Sequence, residues 1–361
     1  FWAKVYVTLN TLLFDDEIPQ ALELISNLYD AGIDGLIIQD TGLLECELPP
    51  VPLIASTQMH NNTPEKAAFL EQVGIKRVIL ARELDIEQIK EIRRQSGVEL
   101  EVFIHGALCV CYSGQCYLSY ALGGRSGNRG QCAQPCRKSY TLTDSGGRRT
   151  LKNKHLLSVR DLNLSAHLGE LIDAGICSFK IEGRLKDKAY VSNVVAYYRA
   201  KLDEIIRKKK LQKTSSGVSS VDFEPDLTKT FNRGYSTYFL HGREGPIGSI
   251  DTPKMIGEPI GRVSEITKRG ITVDSSVSIH NGDGICFFDK NGELCCTIIN
   301  GVHGRIIVPG KFDGIENSTF IYRNHDHESL TSLAKSHVER QIAITFTLKE
   351  TPDGFRLHVT D

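Results

Sequence analysis

Residues 100–109 read LEVFIHGALC, an apolar run with β-branched residues that ends in a histidine, a glycine and the first of several closely spaced cysteines. Such a run predicts a strand over Leu100–Gly106. Five comparable runs predict strands at Val5–Asn10, Gly35–Asp40, Leu53–Gln58, Arg77–Arg82 and Ser178–Gly183. Helical stretches lie between most of them, at Ile18–Asp30, Pro64–Gln72, Ile86–Gln95 and Ala166–Ala174.

This alternation of strands and helices predicts an α/β domain with a parallel sheet. Six strands are visible in the sequence, whereas a closed (β/α) barrel has eight. The chain also begins with Phe rather than Met. We therefore expect residues 1–212 to form a TIM-like (β/α) barrel that lacks its N-terminal strands, with a cysteine-rich loop over residues 106–150.

The remainder of the chain changes character. Residues 213–249 predict a linker followed by the segment Phe231-Asn-Arg-Gly234. Short strands separated by glycine-containing turns predict a small antiparallel β-barrel over residues 250–325. Residues 326–361 predict the start of a further β region, with a strand pair at Ile342–Leu348 and Phe355–Val359 that is cut off at its end.

Composition excludes several classes of protein. The 361 residues carry a net charge of -1, with 40% hydrophobic and 24% charged residues, as in an ordinary globular protein. No apolar run reaches the roughly 20 residues of a membrane span, and no signal-peptide pattern opens the chain. We expect a cytoplasmic protein without a membrane partner. Ten cysteines in so long a chain favour metal binding or redox chemistry over a disulfide scaffold.

Four cysteines follow the strand Leu100–Gly106 with six, fifteen and three intervening residues: Cys109, Cys116, Cys132 and Cys136. Sites in β/α folds form at the carboxyl ends of the strands, where this loop begins. Thiolates suit either an iron–sulfur cluster or zinc. The wide first gap favours iron and sulfur, because zinc sites commonly use pairs two to four residues apart. Spacing alone leaves zinc and unliganded cysteines open, with Cys111 and Cys177 as spare candidates.

Polar side chains surround the same end of the predicted barrel. The loop carries Arg125, Arg129 and Arg137, whose guanidinium groups suit phosphate or a small dicarboxylate. A solvated basic loop is the alternative. Strand alternation turns the polar residues inward. The inward-facing set is Asn10, Gln58, His105, Lys180 and Glu182, with Arg184 just beyond the last strand. Each could serve a structural hydrogen bond, but together they predict a site.

Residues 101–119 and 125–137 closely resemble the signature of the collagenase-like U32 peptidase family. The segments Phe179–Arg184 and Phe231–Gly234 resemble motifs further along that family. The resemblance covers roughly residues 1–245. Within the family it is closest to the branch that acts in hydroxylation of 23S ribosomal RNA cytidine, with the tRNA uridine branch next.

The resemblance implies a (β/α) barrel, a 4Fe–4S cluster and a hydroxylation of RNA bases that depends on prephenate, a small dicarboxylate. Carried over by motif, the cluster ligands would be Cys109, Cys116, Cys132 and Cys136, with Cys177 as the alternative to the last. We hypothesise that Glu182, Lys180 and His105 lie beside the substrate as catalytic groups. The substrate-binding candidates are Arg125, Arg129, Arg137, Arg184, Asn10 and Gln58.

Two other functions compete with RNA hydroxylation. The family name implies a peptidase, and a cysteine protease needs a thiolate beside a histidine and an orienting group. His105 and Cys109 are close in sequence, yet such a mechanism has no use for four clustered thiols. The sequence contains no HExxH motif of the kind used by many metalloproteases. The second competitor is an RNA-binding factor whose metal cluster is structural.

Overall fold

The computed structural model describes residues 3–243, 245–311 and 313–360. Its first part contains six helices: α1 (Ile18–Asp30), α2 (Pro64–Gln72), α3 (Ile86–Gln95), α4 (Leu118–Gly123), α5 (Leu168–Asp173) and α6 (Lys188–Lys209). The strands of this part are β1 (Tyr6–Leu9), β2 (Gly35–Ile38), β3 (Leu53–Ala55), β4 (Arg77–Ile79), β5 (Glu99–Gly106), β6 (Tyr140–Thr143), β7 (Arg149–Lys154), β8 (Asp161–Asn163), β9 (Ser178–Ile181), β10 (Val218–Val221) and β11 (Tyr235–Ser236).

One eight-stranded sheet organises this part of the chain. Strands β1 to β5 pair in parallel in chain order, and β9 also runs parallel to β5. The predicted parallel α/β sheet is therefore confirmed. Two short strands were not predicted: β8 pairs antiparallel with the end of β5, and β11 pairs with β8. Among the described residues this TIM-like sheet is not closed, and β1 forms one edge.

Local capping explains why the helices begin where predicted. The Thr63 side chain accepts a hydrogen bond from the Lys66 N–H, ahead of Pro64 in the first turn of α2. Asp85 and Gln88 form a reciprocal capping box at the start of α3. Buried apolar side chains on one face of each helix, such as Ile25 and Ile89, pack with the sheet in one core. Helices α1 to α3 consequently have the predicted bounds.

An irregularity in β5 changes the direction of one predicted site residue. Phe103 lies opposite Lys180 of β9, but His105 lies opposite Ile181, so β5 has one extra residue between them. Opposed residues share a face, and an extra residue therefore moves the following side chain to the other face. The prediction that His105 faces inward beside Lys180 is wrong for this reason. It shares a face with Ile181, toward α6.

The second part of the chain contains the predicted small β-barrel. Its six strands close in the order β12-β13-β16-β15-β14-β17, all pairs being antiparallel. A separate apolar core fills it, including Ile271, Phe287 and Ile321. The strands are β12 (Glu258–Thr267), β13 (Gly270–Asp274), β14 (Gly284–Phe288), β15 (Leu294–His303), β16 (Ile306–Pro309) and β17 (Phe320–His325).

The C-terminal residues form one more helix and three strands: α7 (His327–Lys335), β18 (Val338–Gln341), β19 (Thr345–Thr351) and β20 (Gly354–Thr360). Strand β18 pairs antiparallel with β10, which joins this region to the first part of the chain. The predicted final strand pair is present as the β19–β20 hairpin.

A candidate cysteine-ligated centre

The cysteine loop leaves the sheet at the carboxyl end of β5, as predicted. Cys109 and Cys132 are exposed, and Cys116 and Cys136 are half-buried. The backbone N–H of Gln134 donates to the Cys132 sulfur at 3.3 Å. Gly127 lies between two of the cysteines, since a Cβ placed there would be 3.7 Å from both the Cys116 carbonyl oxygen and the Cys132 Cβ. The loop therefore folds back on itself around its thiols.

Electrostatics also place the four predicted ligands together. Burial raises the pKa of the Cys136 thiol, the adjacent Arg137 lowers it, and Cys109, Cys132 and Cys116 each raise it further. Thiols influence one another in this way only when they are close. The structure thus brings Cys109, Cys116, Cys132 and Cys136 into one neighbourhood, whereas Cys177 lies elsewhere. The spare candidate Cys111 is also in this neighbourhood, since burial raises the pKa of its thiol and Cys116 and Cys109 raise it further.

Cys177 precedes β9, and its sulfur is 3.5 Å from the carbonyl oxygen of Leu100. That oxygen is near the amino end of β5, and the cysteine loop starts at the opposite end. Six residues of extended strand separate Leu100 from Gly106, a distance of about 20 Å. Cys136 rather than Cys177 therefore joins the other three thiols.

Four thiolate sulfurs on one loop suit an iron–sulfur cluster, and they also suit zinc, because both take soft ligands. Within the described part of the chain, no three cysteine sulfurs all lie within 4.8 Å of one another. The chemistry of the donor set fits a cluster, which takes four such ligands.

Two of the three predicted loop arginines are used within the protein. Arg137 is half-buried and donates to the Leu108 carbonyl, the Ser158 hydroxyl and the Val159 carbonyl, each at 2.8 Å. Arg129 donates to both carboxylate oxygens of Glu17 at 2.9 and 2.6 Å, and it lies 4.2 Å from the centre of the Phe14 ring. Arg129 and Arg137 thereby anchor the cysteine loop to the α/β part of the chain.

The other basic and amide candidates have fewer protein contacts. Arg125 is exposed and donates to the Gln131 carbonyl at 3.0 Å. Arg184 is exposed, and its backbone N–H donates to Glu182 Oε1 at 3.0 Å. The Asn10 amide lies 3.5 Å from the Ser56 hydroxyl, which also accepts the backbone N–H of Gln58. Arg125 and Arg184 are thus the predicted guanidinium groups left facing solvent.

Lys180 lies opposite Phe103 of β5, within a half-buried charge network. Its Nζ is 3.8 Å from Glu101, which also accepts hydrogen bonds from Arg77 at 3.2 Å and from Ser178 at 2.6 Å. Burial lowers the pKa of Lys180, while Glu101 opposes that shift. Sequence reasoning missed Glu101, although it alternates with Val102 in the predicted strand and is a charge within an apolar run.

His105 is enclosed rather than presented to a substrate. Only 1% of it is exposed, and its ring centre lies 5.4 Å from those of Tyr198 and Tyr235 and 6.0 Å from that of Tyr190. The Tyr198 hydroxyl is 3.3 Å from Nδ1, and Nε2 has no hydrogen-bond partner among the described residues. Burial lowers the pKa of His105 to about 4, aided by the charge of Lys186. The ring is therefore neutral at pH 7.

A second buried charge lies behind the loop. Asp161 is 1% exposed and pairs with Arg233 at 2.8 Å, while Arg233 and Lys186 lie 4.8 and 3.6 Å from the centre of the Phe231 ring. The Phe231-Asn-Arg-Gly234 segment thus supplies a cation that neutralises a carboxylate. The pairing of Arg233 with Asp161 could not be predicted, because the two residues are distant in sequence.

An aromatic pocket of about 300 Å³ adjoins the cysteine loop. The Tyr238 and Phe239 rings stack 4.0 Å apart, and Arg243 lies 5.0 Å from the Phe239 ring centre. Burial raises the pKa of Tyr238 to about 12, and nearby Glu83 and Cys109 act in the same direction. The complete lining is Glu83, Val110, Cys111, Tyr112, Tyr238, Phe239, Arg243 and Ile247.

Sequence reasoning missed this pocket because residues 213–249 were interpreted as a linker. The adjacent aromatic residues shortly after the Phe231-Asn-Arg-Gly234 segment were the available signal.

The structure also shows that no helix in residues 3–243, 245–311 or 313–360 is long and apolar enough to cross a bilayer.

Three known proteins illustrate what the chain is similar to. The "23S rRNA 5-hydroxycytidine C2501 synthase" of Escherichia coli K12 is 45% identical over 357 residues, covering 96% of this chain and 55% of the relative. The "tRNA hydroxylation protein P1" of Bacillus subtilis is 34% identical, covering 68% of this chain and 59% of its own length. The "Collagenase" of Porphyromonas gingivalis W83 is 28% identical, covering 86% of this chain and 74% of the relative.

The chain therefore spans between one half and two thirds of the first two relatives. A family model described as peptidase family U32 matches residues 2–249, which include the whole parallel sheet and the cysteine loop. The chain belongs to peptidase family U32.

Proposed function

We propose that the protein hydroxylates a pyrimidine base of RNA, with ribosomal cytidine as the first candidate, at an iron–sulfur centre on Cys109, Cys116, Cys132 and Cys136. The observation that carries the proposal is the 45% identity, over 96% of this chain, to a protein named for 5-hydroxycytidine synthesis. An RNA target also makes the cytoplasm the expected location.

The protein groups around the thiols suit such a centre. When bound, the cluster would supply electrons or a binding site for the oxygen donor. The Gln134 N–H stabilises negative charge on the Cys132 sulfur, and Arg137 places a half-buried cation beside Cys136. Both interactions favour thiolates, the form that binds iron.

The aromatic pocket is the proposed base-binding site. RNA is read mainly through unstacked bases that stack on aromatic side chains. Tyr238 and Phe239 supply such surfaces close to Cys109, and Glu83 could accept a hydrogen bond from the amino group of cytosine. Arg243 supports stacking through its own contact with Phe239.

Exposed cations are proposed to hold the anionic groups of the substrates. Guanidinium forks pair well with phosphate and carboxylate, and Arg125 and Arg184 are both exposed. We assign them to RNA phosphates or to prephenate, the dicarboxylate that the family resemblance implies as co-substrate. Lys180 and Glu182 remain candidates for moving a proton.

The cluster and the activity are tested together in cells that lack their own ribosomal cytidine hydroxylation. The full-length protein is expressed as wild type, Cys132→Ser or Cys296→Ser, and 5-hydroxycytidine in 23S ribosomal RNA is measured by mass spectrometry. We expect Cys132→Ser to lose both iron and hydroxylation. Cys296 is an equally exposed cysteine in the β-barrel and serves as the matched control. Retained hydroxylation in an iron-free Cys132→Ser protein would contradict the proposal.

A Glu182→Gln variant separates an enzyme from an RNA-binding factor with a structural cluster. Unchanged hydroxylation with the cluster intact would favour the RNA-binding factor. The peptidase alternative gains little from the geometry, because His105 is enclosed by tyrosines and is not available to activate Cys109. Proteolysis by purified protein that survives iron removal would restore that alternative.

A further inference from the structure

Two histidines and a glutamate converge on one point away from the cysteine loop. His241 Nε2 lies 3.1 Å from His167 Nδ1 and 3.5 Å from Glu170 Oε2, and the last two atoms are 3.4 Å apart. They form the one group of three or more possible metal-binding residues, within the described parts of the chain, whose ligand atoms all lie within 4.8 Å of one another.

These three distances match the ligand shell of a single small cation. Histidine nitrogens and carboxylate oxygens lie about 2.0–2.2 Å from zinc, so two ligands of a tetrahedral site are about 3.3–3.6 Å apart. The observed separations of 3.1, 3.4 and 3.5 Å fall close to that range. Two histidines, one carboxylate and an open fourth position form a ligand set that zinc uses.

The backbone holds the donors in place. His167 immediately precedes α5 and Glu170 lies one turn further on, with the fully buried Leu168 beside both. His241 follows Leu240, which is 3% exposed and whose carbonyl accepts the Ile86 N–H at 3.0 Å. Donors anchored in this way on both segments need little rearrangement to bind an ion.

We propose that His167, Glu170 and His241 bind one divalent ion of the zinc class. The ion would join α5 to the segment 237–243, which supplies Tyr238 and Phe239 to the aromatic pocket. Its role would be to fix that wall of the pocket. None of its three ligands belongs to the cysteine loop, so ion binding can be tested without measuring the proposed hydroxylation.

Cobalt provides a probe that separates this site from the thiols. The reduced, chelator-washed protein is titrated with Co²⁺, whose bonds to thiolate give an intense charge-transfer absorption that nitrogen and oxygen ligands do not give. Four proteins are compared: wild type, His241→Ala, Glu170→Gln and His303→Ala. Glu170→Gln preserves side-chain shape, and His303 is an exposed histidine of the β-barrel that serves as the control.

We expect wild type and His303→Ala to bind one equivalent of Co²⁺ with a nitrogen–oxygen spectrum, and both site variants to lose it. Zn²⁺ should displace that cobalt and slow hydrogen exchange in residues 237–243 of the wild type only. The proposal is overturned if wild type shows no such equivalent, or if Glu170→Gln and His241→Ala retain it while folded. The three side chains would then form only a hydrogen-bonded cluster.

Discussion

His105 shows how one extra residue in a strand decides the role of a side chain. The tyrosine cage excludes water from the ring, and burial disfavours its charged form. In the unfolded chain the same histidine is free to accept a proton near its ordinary pKa of about 6.5. His105 therefore makes the folding of the protein sensitive to acid.

The direction of this effect follows from its lowered pKa. Between about pH 6.5 and its folded value of about 4, the unfolded state binds a proton that the folded state does not, so stability falls as the pH falls. We expect a loss of about 2 kcal/mol in the free energy of unfolding from about pH 7.5 to about pH 5 through this group alone. Urea unfolding at both pH values measures it.

The same measurement on His105→Gln should show a smaller fall with pH than wild type. His303→Gln changes an exposed histidine and should keep the wild-type dependence. Equal pH dependence in wild type and His105→Gln would contradict the predicted burial of a neutral ring.

Simple alternation predicted the direction of Lys180 and failed for His105. Lys180 is paired in regular register with Phe103, so the alternation of side chains between the two faces of the sheet holds there. The extra residue before His105 has no signature in the sequence, because Phe103, Ile104 and His105 all fit a strand. The four thiols belong to one loop, so a sequence pattern can group them, whereas the Asp161–Arg233 pair joins distant segments.

At the scale of elements, the cysteine loop depends on one close backbone approach. A Cβ on Gly114 would lie 1.8 Å from the carbonyl oxygen of Gln58, and Gly114 has a positive φ of 70°. Nothing but glycine fits there without moving the loop from the turn Thr57–Met59. That contact, with the Arg129 and Arg137 anchors, sets the position of the loop over the sheet.

We expect Gly114→Ala to destabilise the loop by at least about 1–2 kcal/mol, the cost of the left-handed backbone alone. Hydrogen exchange followed by mass spectrometry should show faster exchange in peptides that cover residues 109–136. Gly123→Ala is the matched control, because a Cβ at Gly123 meets no atom within 4 Å. Unchanged exchange in the Gly114→Ala loop would contradict this packing.

Helix bounds could be predicted because their signals are local. The start of α2 is indicated by Thr63 with Pro64, and the start of α3 by Asp85 with Gln88. Strands were predicted too long at their carboxyl ends, as in β3, where Thr57 and Gln58 belong to a turn. Thr57 and Gln58 leave the sheet after Ala55. A β-branched residue such as Thr57 at this point resembles a continuation of the strand.

At the scale of the whole molecule, Lys229 joins the first part of the chain to a charge cluster around a buried arginine of the β-barrel. Arg323 is 6% exposed and lies 3.1 Å from Asp283, which is 0% exposed, and 3.2 Å from Asp326. Lys229, from the first part of the chain, reaches Asp326 at 2.9 Å and Glu258 at 3.0 Å. The two cations pair with three carboxylates at the junction, Glu258, Asp283 and Asp326.

Replacement of Arg323 should lower the stability of the β-barrel. We expect Arg323→Met to destabilise the barrel by about 3–5 kcal/mol, because it leaves Asp283 buried without its partner. Scanning calorimetry should then show the barrel unfolding at a lower temperature than the α/β part. Arg269→Met changes an exposed turn residue and should leave the profile unchanged. A wild-type profile for Arg323→Met would contradict the predicted dependence.

The parallel sheet and the small barrel could be predicted as separate units because their strand patterns differ along the chain. Their junction could not be predicted. Lys229 looked like one more surface lysine of a linker, and only the fold brings it to Glu258 and Asp326.

The position of the cysteines along the chain also bears on synthesis. Arg129 must find Glu17 across 112 residues, and Arg137 must find Ser158 and Val159, which follow it. Joining chain ends costs more entropy as the loop lengthens, so contacts among residues 109–136 form more readily than the Arg129–Glu17 anchor. All four thiols also leave the ribosome before Ser158 and Val159, two of the three residues that hold Arg137.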